Sequence, residues 1–169
     1  MQCRICSPNE IEQGLLDRQL DLGIGYFGRQ LEALRYQPWL EDTQAIYCSE
    51  DHPLFAVEEP EREQIENARW VKRGYLLVQQ LCPIAPQHLA AQHHMESVAH
   101  LVLSGTCLGY LPTHYAARWV EQWLLRQLGG AALSYRATLS LVSRPVQPDE
   151  ALNALLEDLA RAARPSPHC

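Results

Sequence analysis

Residues 101–116 read LVLSGTCLGYLPTHYA, and this stretch indicates the architecture of the chain. Apolar residues at helical spacing lead up to Gly105, which stands where a left-handed helix cap would be. LGYLP has the make-up of a short buried strand, and Pro112 with Thr113 begins another helix. The stretch therefore predicts a helix, a tight turn, a strand and the start of a further helix.

Helices and strands alternate on both sides of this stretch. Near the amino terminus, the strand-like run QCRIC is followed by Ser7, Pro8 and Glu10, which form an S-x-x-E capping box with proline at the first helical position. Other strand-like runs are LDLGIGY, TQAIYCS, RWVKRGYLLVQQ, HLAAQ and the alternating ALSYRATLSLVSR. Helices are expected from Ser97, over THYAARWVEQWLLRQL with Trp119 and Trp123 on its apolar side, and over DEALNALLEDLARAAR. Such alternation predicts an α/β fold with mainly parallel sheets, in which ligands bind beyond the carboxyl ends of strands.

The charge balance argues against nucleic-acid binding by this chain. Its 169 residues, which suggest one domain or two small lobes, carry 14 Lys and Arg against 20 Asp and Glu, a formal net charge of -6. Domains that bind nucleic acid usually show a basic excess, because phosphate neutralisation supplies most of their affinity. If the protein acts on DNA, we expect another part of it to make the contact.

The motifs of catalysis and of metal binding are missing. The sequence holds no G-x-S-x-G elbow, no H-E-x-x-H and no phosphate-binding glycine loop, so we expect no enzyme, no cofactor and no metal. Cys3 and Cys6 form one CxxC, and no second CxxC follows. Residues three apart in a strand point to opposite faces, which argues against a metal or redox role for this pair. No secretory signal or membrane-spanning run is found, which favours reduced thiols, a cytoplasmic location and no membrane partner.

Three motifs, taken in order, resemble one known family. They are GLLDRQLDLGIGY, then YCSEDHPLF, then SVAHLVLSGTCLGYLPTHYA. With the final strand and amphipathic helix they are similar to the effector-binding domain of LysR-type transcriptional regulators, and the resemblance covers nearly the whole chain. It implies a two-lobed α/β fold like that of type II periplasmic binding proteins, with two crossover strands and an effector in the cleft.

The resemblance also implies how the chain is divided. Lobe I would hold residues 1–26 and about 137–169, and lobe II residues 27–136, with Tyr26 and Phe27 at the first crossover. The sequence begins at what resembles the family's second strand, so lobe I is expected to be incomplete, and poorly ordered or stabilised by a dimer. The family's winged helix-turn-helix has no counterpart here. Cys107 and Trp123 stand where the family often has glycine, which we expect to reshape lobe II locally.

The predicted ligand contacts in lobe I lie at two junctions. Ser7, Pro8 and Asn9 stand between a strand and a helix, where free N–H groups suit a carboxylate or another anion. The alternative is that they serve only as a helix cap. Tyr26 follows LDLGIG and is expected to point to the cleft, or else to pack at the hinge.

The predicted contacts in lobe II also follow strands. Gln79 and Gln80 come after LLV and could hydrogen-bond a polar ligand, unless they are plain surface glutamines. His94 and Ser97 precede or open the next helix, where His94 could bind an anion or respond to pH. The alternative for His94 is an ordinary exposed histidine.

The resemblance implies a sensing domain. A small-molecule effector would close the two lobes and change how a homodimer or tetramer holds its DNA readers, since only differential affinity for the two forms shifts such an equilibrium. Promoter DNA would be bound only through the missing N-terminal domain. The alternatives are a stand-alone solute-binding protein and a thiol or metal sensor that uses Cys82, Cys107 and the histidines His88, His93 and His94.

Overall fold

The computed structural model describes residues 2–73, 82–84, 89–92, 94–146 and 149–163. Within these ranges the helices are α1 (Pro8–Leu16), α2 (Arg62–Asn67), α3 (Met95–Leu103), α4 (Thr113–Glu121) and α5 (Glu150–Ala162), with a short 3₁₀ helix at Gly130–Leu133. The strands are β1 (Leu22–Gly25), β2 (Arg35–Ser49), β3 (Trp70–Arg73), β4 (Leu89–Gln92), β5 (Leu108–Pro112), β6 (Leu125–Leu128) and β7 (Tyr135–Ser143). None of the helices in the described ranges is long and apolar enough to span a membrane.

Contacts divide the chain into two compact units. Unit 1 comprises Met1–Glu41 and Thr138–Cys169, and unit 2 comprises Asp42–Ala137. The strands β2 and β7 each carry residues of both units. The lobe bounds expected from the family resemblance, residues 1–26 with 137–169 and residues 27–136, stay a prediction.

In unit 1, helix α1 begins where the sequence predicts it. Ser7 caps the helix, Pro8 is its first residue, and Ser7 and Glu10 form the reciprocal capping box. Strand β1 pairs antiparallel with β7, from Leu22 opposite Ser143 to Gly25 opposite Ser140. The core of this unit is formed by Ile11, Leu15, Leu34 and Val142.

Helix α5 also forms where the sequence predicts it. Asp149 caps it by accepting a hydrogen bond from the backbone N–H of Leu152. The indole Nε1 of Trp39 donates to the carbonyl of Leu159 at 2.8 Å, which fastens β2 to α5. Leu152, Leu155, Leu156 and Leu159, the face that the sequence predicts to be inward, are half-buried.

The strand predicted over QCRIC is wrong. Residues 2–6 lie outside every strand, Cys3 is exposed, and the side chain of Ile5 is 80% exposed. Among the described residues β1 pairs only with β7, so no neighbouring strand offers this segment a hydrogen-bond ladder. Strand propensity alone does not hold a strand, because its N–H and C=O groups need partners.

Unit 2 is built on a mixed sheet with the strand order β6-β2-β5-β3-β4. Strand β3 runs parallel to β4 and β5, and β2 runs antiparallel to β5 and β6. Successive residues of β2 point to opposite faces and so supply two cores. One core contains Ala45, Tyr47, Val98, Val102 and Leu111, and the other contains Ile46, Cys48, Trp70, Leu108 and Leu128.

The succession predicted for residues 101–116 is confirmed. Helix α3 ends at Leu103, Gly105 adopts a φ of +76°, β5 occupies LGYLP, and α4 follows at Thr113. A Cβ at Gly105 would lie 2.7 Å from the Cβ of Asp51, so both the backbone and the space require glycine. Helix α3 starts at Met95, two residues before the predicted start at Ser97.

The single long helix predicted over THYAARWVEQWLLRQL is wrong, because α4 ends at Glu121. Trp123 adopts a φ of +61°, which no right-handed helix allows, and LRQL then forms β6 against β2. Trp123 is 78% exposed instead of lying on an apolar helix face. Its left-handed backbone agrees with the glycine that the family often has at this position.

Candidate functional site

The parallel strands of unit 2 end at one edge of its sheet, and two helices begin there. β4 ends at Gln92, shortly before His94 caps α3, and β5 ends at Pro112, directly before α4. Gln44 of β2 lies opposite Pro112, so β2 enters unit 2 at this same edge. We call it the unit 2 edge, and it is defined by Asp42, Gln44, His94, Ser97 and His114. Ligands of α/β proteins bind at edges of this kind.

The first turn of α3 brings together two of the residues predicted from the sequence. His94 is the N-cap residue and is exposed, and its side chain makes no capping hydrogen bond. Ser97 is the third helical residue and is half-buried. The first N–H groups of a helix have no intrahelical partner and attract anions. This turn can therefore receive a carboxylate, with the Ser97 hydroxyl as a further donor.

The start of α4 holds polar residues that the sequence analysis missed. The Nδ1 atom of His114 lies 3.2 Å from Oδ1 of Asp42, and the amide of Gln44 donates to Oδ2 of Asp42 at 3.0 Å. Gln44 is fully buried, and only 9% of the Asp42 side chain is exposed. Burial, and secondly the Asp42 carboxylate, raise the pKa of Tyr47. This network joins the middle of β2 to the start of α4.

In unit 1, the predicted contacts stand at the start of α1 and directly after β1. Ile11 of α1 lies against Gly23 and Gly25 of β1, whereas Leu15 lies against Gly23. Helix α1 therefore runs opposite to β1, and Ser7–Asn9 lie near the strand end that Tyr26 follows. Tyr26 is buried.

The capping box already uses the main donors at the start of α1. The backbone N–H and the hydroxyl of Ser7 both donate to Oε2 of Glu10 at 2.7 Å, and the N–H of Glu10 donates back to the Ser7 hydroxyl at 3.4 Å. Pro8 has no N–H to offer. A bound anion would compete with the Glu10 carboxylate for the Ser7 donors. This competition favours the interpretation of Ser7 as a helix cap. Asn9 is exposed.

Several sequence predictions fall outside the described residues or on buried groups. Gln79 and Gln80, with His88 and His93, lie outside the described residues. Cys107 is buried, which raises the pKa of its thiol, and Cys82 is half-buried. Within the described ranges, no cluster of three or more His, Cys, Asp or Glu side chains could hold a metal ion.

Comparison with known proteins identifies relatives over nearly the whole chain. A family model described as the LysR substrate binding domain matches residues 1–164. The HTH-type transcriptional activator BauR of Pseudomonas aeruginosa is 34% identical over an alignment 167 residues long, and the match covers 91% of this chain and 52% of BauR. The chain therefore spans about half the length of the curated relative that it matches.

Solved structures share the fold. The regulatory domain of CcmR from Synechocystis PCC6803, in complex with 2-PG, has a TM-score of 0.76 and 16% identity, with 97% of this chain and 83% of that chain covered. The regulatory domain of MetR from N. meningitidis, a LysR family regulator, has a TM-score of 0.65 and 18% identity, with 90% and 74% covered. The expected α/β fold of the periplasmic-binding-protein type is thus confirmed.

Proposed function

We propose an effector-binding function for this chain, which belongs to the LysR substrate-binding domain family. It is homologous to the regulatory, effector-binding domains of LysR-type transcriptional regulators. We propose that it binds a small metabolite and that this binding shifts the population between two conformations of the domain. An effector can shift such an equilibrium only by its differential affinity for the two forms.

The observation that carries this proposal is the unit 2 edge. Two helices, α3 and α4, begin where parallel strands end, and the first turn of α3, which no His94 side-chain bond caps, includes Ser97. A carboxylate or a similar anionic group is the chemistry that such a turn attracts. The proposed ligand contacts remain those predicted from the sequence: Ser7, Pro8, Asn9, Tyr26, Gln79, Gln80, His94 and Ser97.

A thermal-shift screen of this chain tests the proposal. The panel contains small carboxylates, amino acids, purines and aromatic acids, and a ligand that binds only the folded form raises the melting temperature with concentration. Ser97→Ala and His94→Gln are expected to weaken the binding of a hit about tenfold, the loss of one hydrogen bond to a charged group. His100→Gln is the matched control, because it alters an exposed histidine in the last turn of the same helix.

Two results would contradict the proposal. A hit that binds His94→Gln, Ser97→Ala and His100→Gln with equal affinity does not use the α3 turn. A panel in which no compound raises the melting temperature leaves the domain without a small-molecule effector of these classes.

The remaining assignments concern the whole regulator and are proposals. The relatives are transcriptional regulators, so we propose no enzymatic activity, a cytoplasmic location, and a homodimer or tetramer that contacts promoter DNA through an N-terminal reader. A gel-shift assay is expected to show no tight sequence-specific binding by residues 1–169 alone. Tight binding to a promoter by this chain would refute that division of labour.

A further inference from the structure

Unit 1 carries a recess that none of the proposed ligand contacts lines. Its lining consists of Leu22, Arg35, Gln37, Leu141, Ser143, Arg144, Val146 and Leu156. It is a small recess of about 50 Å³ that opens to solvent, so a ligand there would lie partly outside it. We call it the Arg35 recess.

The recess lies at the opposite end of β1 from Tyr26. Leu22 begins β1 and is paired with Ser143, whereas Tyr26 follows the other end of the strand. At about 3.3 Å per residue, the length of β1 separates the two places by roughly 10 Å. Arg35 and Gln37 likewise stand at the start of β2, several residues before its unit 2 part. A ligand in the recess therefore makes contacts distinct from the ligand contacts proposed above.

The two arginines of the recess differ in how many partners they have. Arg144 is held in place, since it donates to the carbonyls of Leu15 and Leu20 at 3.0 and 2.6 Å and to Oδ1 of Asp21 at 3.0 Å. Arg35 is exposed and forms no ion pair among the described residues. No acidic residue belongs to the lining. The recess therefore presents a cation without a counter-charge.

The rest of the lining adds an apolar wall and neutral hydrogen-bonding groups. Leu22, Leu141 and Leu156 supply buried or half-buried aliphatic surface, and Val146 is 67% exposed. Gln37 and Ser143 line the recess together with the two arginines and carry an amide and a hydroxyl. A planar guanidinium is suited to bidentate recognition of a carboxylate.

We propose that the Arg35 recess binds a small organic carboxylate with an apolar body, in addition to the effector of the main site. The carboxylate pairs with Arg35 and the apolar body lies against Leu156 and Val146. Because the recess is shallow and open, its affinity is in the millimolar range, as is usual for a single charged contact with little burial.

Amide-resolved NMR titration of this chain tests the proposal. Phenylacetate, phenylacetamide and inorganic phosphate serve as probes, since they carry the charge with the apolar body, the apolar body alone and the charge alone. Phenylacetate is expected to shift the Leu22 and Ser143 amides saturably, and the other two probes are not. The amides of Tyr26, His94 and Ser97 report separately on the site of the proposed function, so the failure of either proposal can be recognised alone.

Variants decide whether Arg35 is the anchor. Arg35→Gln is expected to weaken phenylacetate binding at Leu22 and Ser143 about tenfold, and Val146→Ser to weaken it severalfold without touching the core. Arg29→Gln, which removes an exposed arginine elsewhere in unit 1, is the control and leaves the binding unchanged. Equal binding by Arg35→Gln, equal binding of phosphate, or no saturable shift at tens of millimolar phenylacetate would each overturn the proposal.

Discussion

Gly109 sits under helix α3, and a methyl group at this position has no room. A Cβ there would lie 2.8 Å from Cγ2 of Val102, 3.1 Å from Cγ1 of Val71 and 3.3 Å from Cγ1 of Val98. All three valines are buried. The backbone of Gly109 is outside the left-handed region, so the substitution Gly109→Ala tests packing alone.

The magnitude follows from two opposing effects. Overpacking a filled core by one methyl group costs about 1–3 kcal/mol. Replacing glycine by alanine inside a strand returns about 0.5–1 kcal/mol of backbone entropy. We therefore expect Gly109→Ala to lower the free energy of unfolding by about 1 kcal/mol and at most about 2.5 kcal/mol. In a chain of this size, a loss of about 1 kcal/mol lowers the melting temperature by about 2–4 °C.

A rescue experiment identifies the clash. Val102→Ala removes the methyl group that lies closest to the new Cβ, although it is destabilising by itself because it leaves a void. In the Val102→Ala background, Gly109→Ala is expected to cost less, with a coupling energy of at least about 0.5 kcal/mol. Urea unfolding followed by tryptophan fluorescence measures all four corners of the cycle.

Val98→Ala is the matched control for this cycle. Val98 lies on the same helix and is equally buried, but its methyl group is farther from the new Cβ, at 3.3 Å instead of 2.8 Å. Rescue by Val98→Ala is therefore expected to be weaker than rescue by Val102→Ala. Strictly additive effects, or a stronger rescue by Val98→Ala, would refute the packing argument.

Three further predictions concern single positions. Trp123→Gly is expected to be more stable than Trp123→Ala by about 0.5–1 kcal/mol in thermal unfolding, because the φ of +61° strains any side chain. The indole is 78% exposed, so little packing is lost in either variant, and equal stabilities would contradict the prediction. Gly129→Ala is expected to lower the free energy of unfolding in urea by about 1–3 kcal/mol more than Gly130→Ala. Both glycines have positive φ, but only a Cβ at Gly129 would meet Leu133, at 2.2 Å. A smaller loss at Gly129 would be inconsistent with this contact. Burial lowers the pKa of His52 below 6.5, and its Nδ1 accepts a hydrogen bond from the N–H of Leu54 at 3.1 Å. The unfolded chain therefore takes up a proton at His52 more readily than the folded chain, and the free energy of unfolding falls as the pH drops through 6.5. His52→Asn keeps an acceptor without titrating, and its unfolding free energy is expected to fall less than that of the unsubstituted chain between about pH 7.5 and pH 5.5; parallel losses would show that another group is responsible.

Local signals in the sequence predicted the elements whose formation depends on their own residues. The S-x-x-E box placed the start of α1, because Ser7 and Glu10 satisfy each other's backbone N–H groups within one turn. The turn at Gly105 and the strand LGYLP also follow from local signals. A left-handed glycine precedes β5, and a proline ends it. These signals act over a few residues, and the sequence shows them directly.

Two wrong predictions have one cause, which is that a strand needs a partner. LRQL continues the helical spacing of α4, yet it forms β6 because Leu125–Leu128 pair with Ser49–Ile46 of β2. QCRIC has strand character, yet the described residues provide it with no partner. Spacing along the chain contains no information on which distant strand is available, so periodicity misjudged both segments.

The same limit explains which site residues were missed. His94 and Ser97 could be predicted because they stand at a helix start that the sequence marks. Asp42, Gln44 and His114 meet only through the register that places Gln44 opposite Pro112. The alternating pattern of TQAIYCS predicted the strand but not its register, and a shift by one residue would have turned Gln44 to the other face.

The Asp42 network has a consequence for how an effector could act. Asp42 is the first residue of unit 2 on β2, and His114 is the second residue of α4. Their contact, and the bond from the buried Gln44 amide, tie the strand to the helix start at the unit 2 edge. A ligand that moves the start of α4 must therefore either carry Asp42 with it or break the contact. If the contact holds, the response reaches Asp42 on β2, a strand whose earlier residues belong to unit 1.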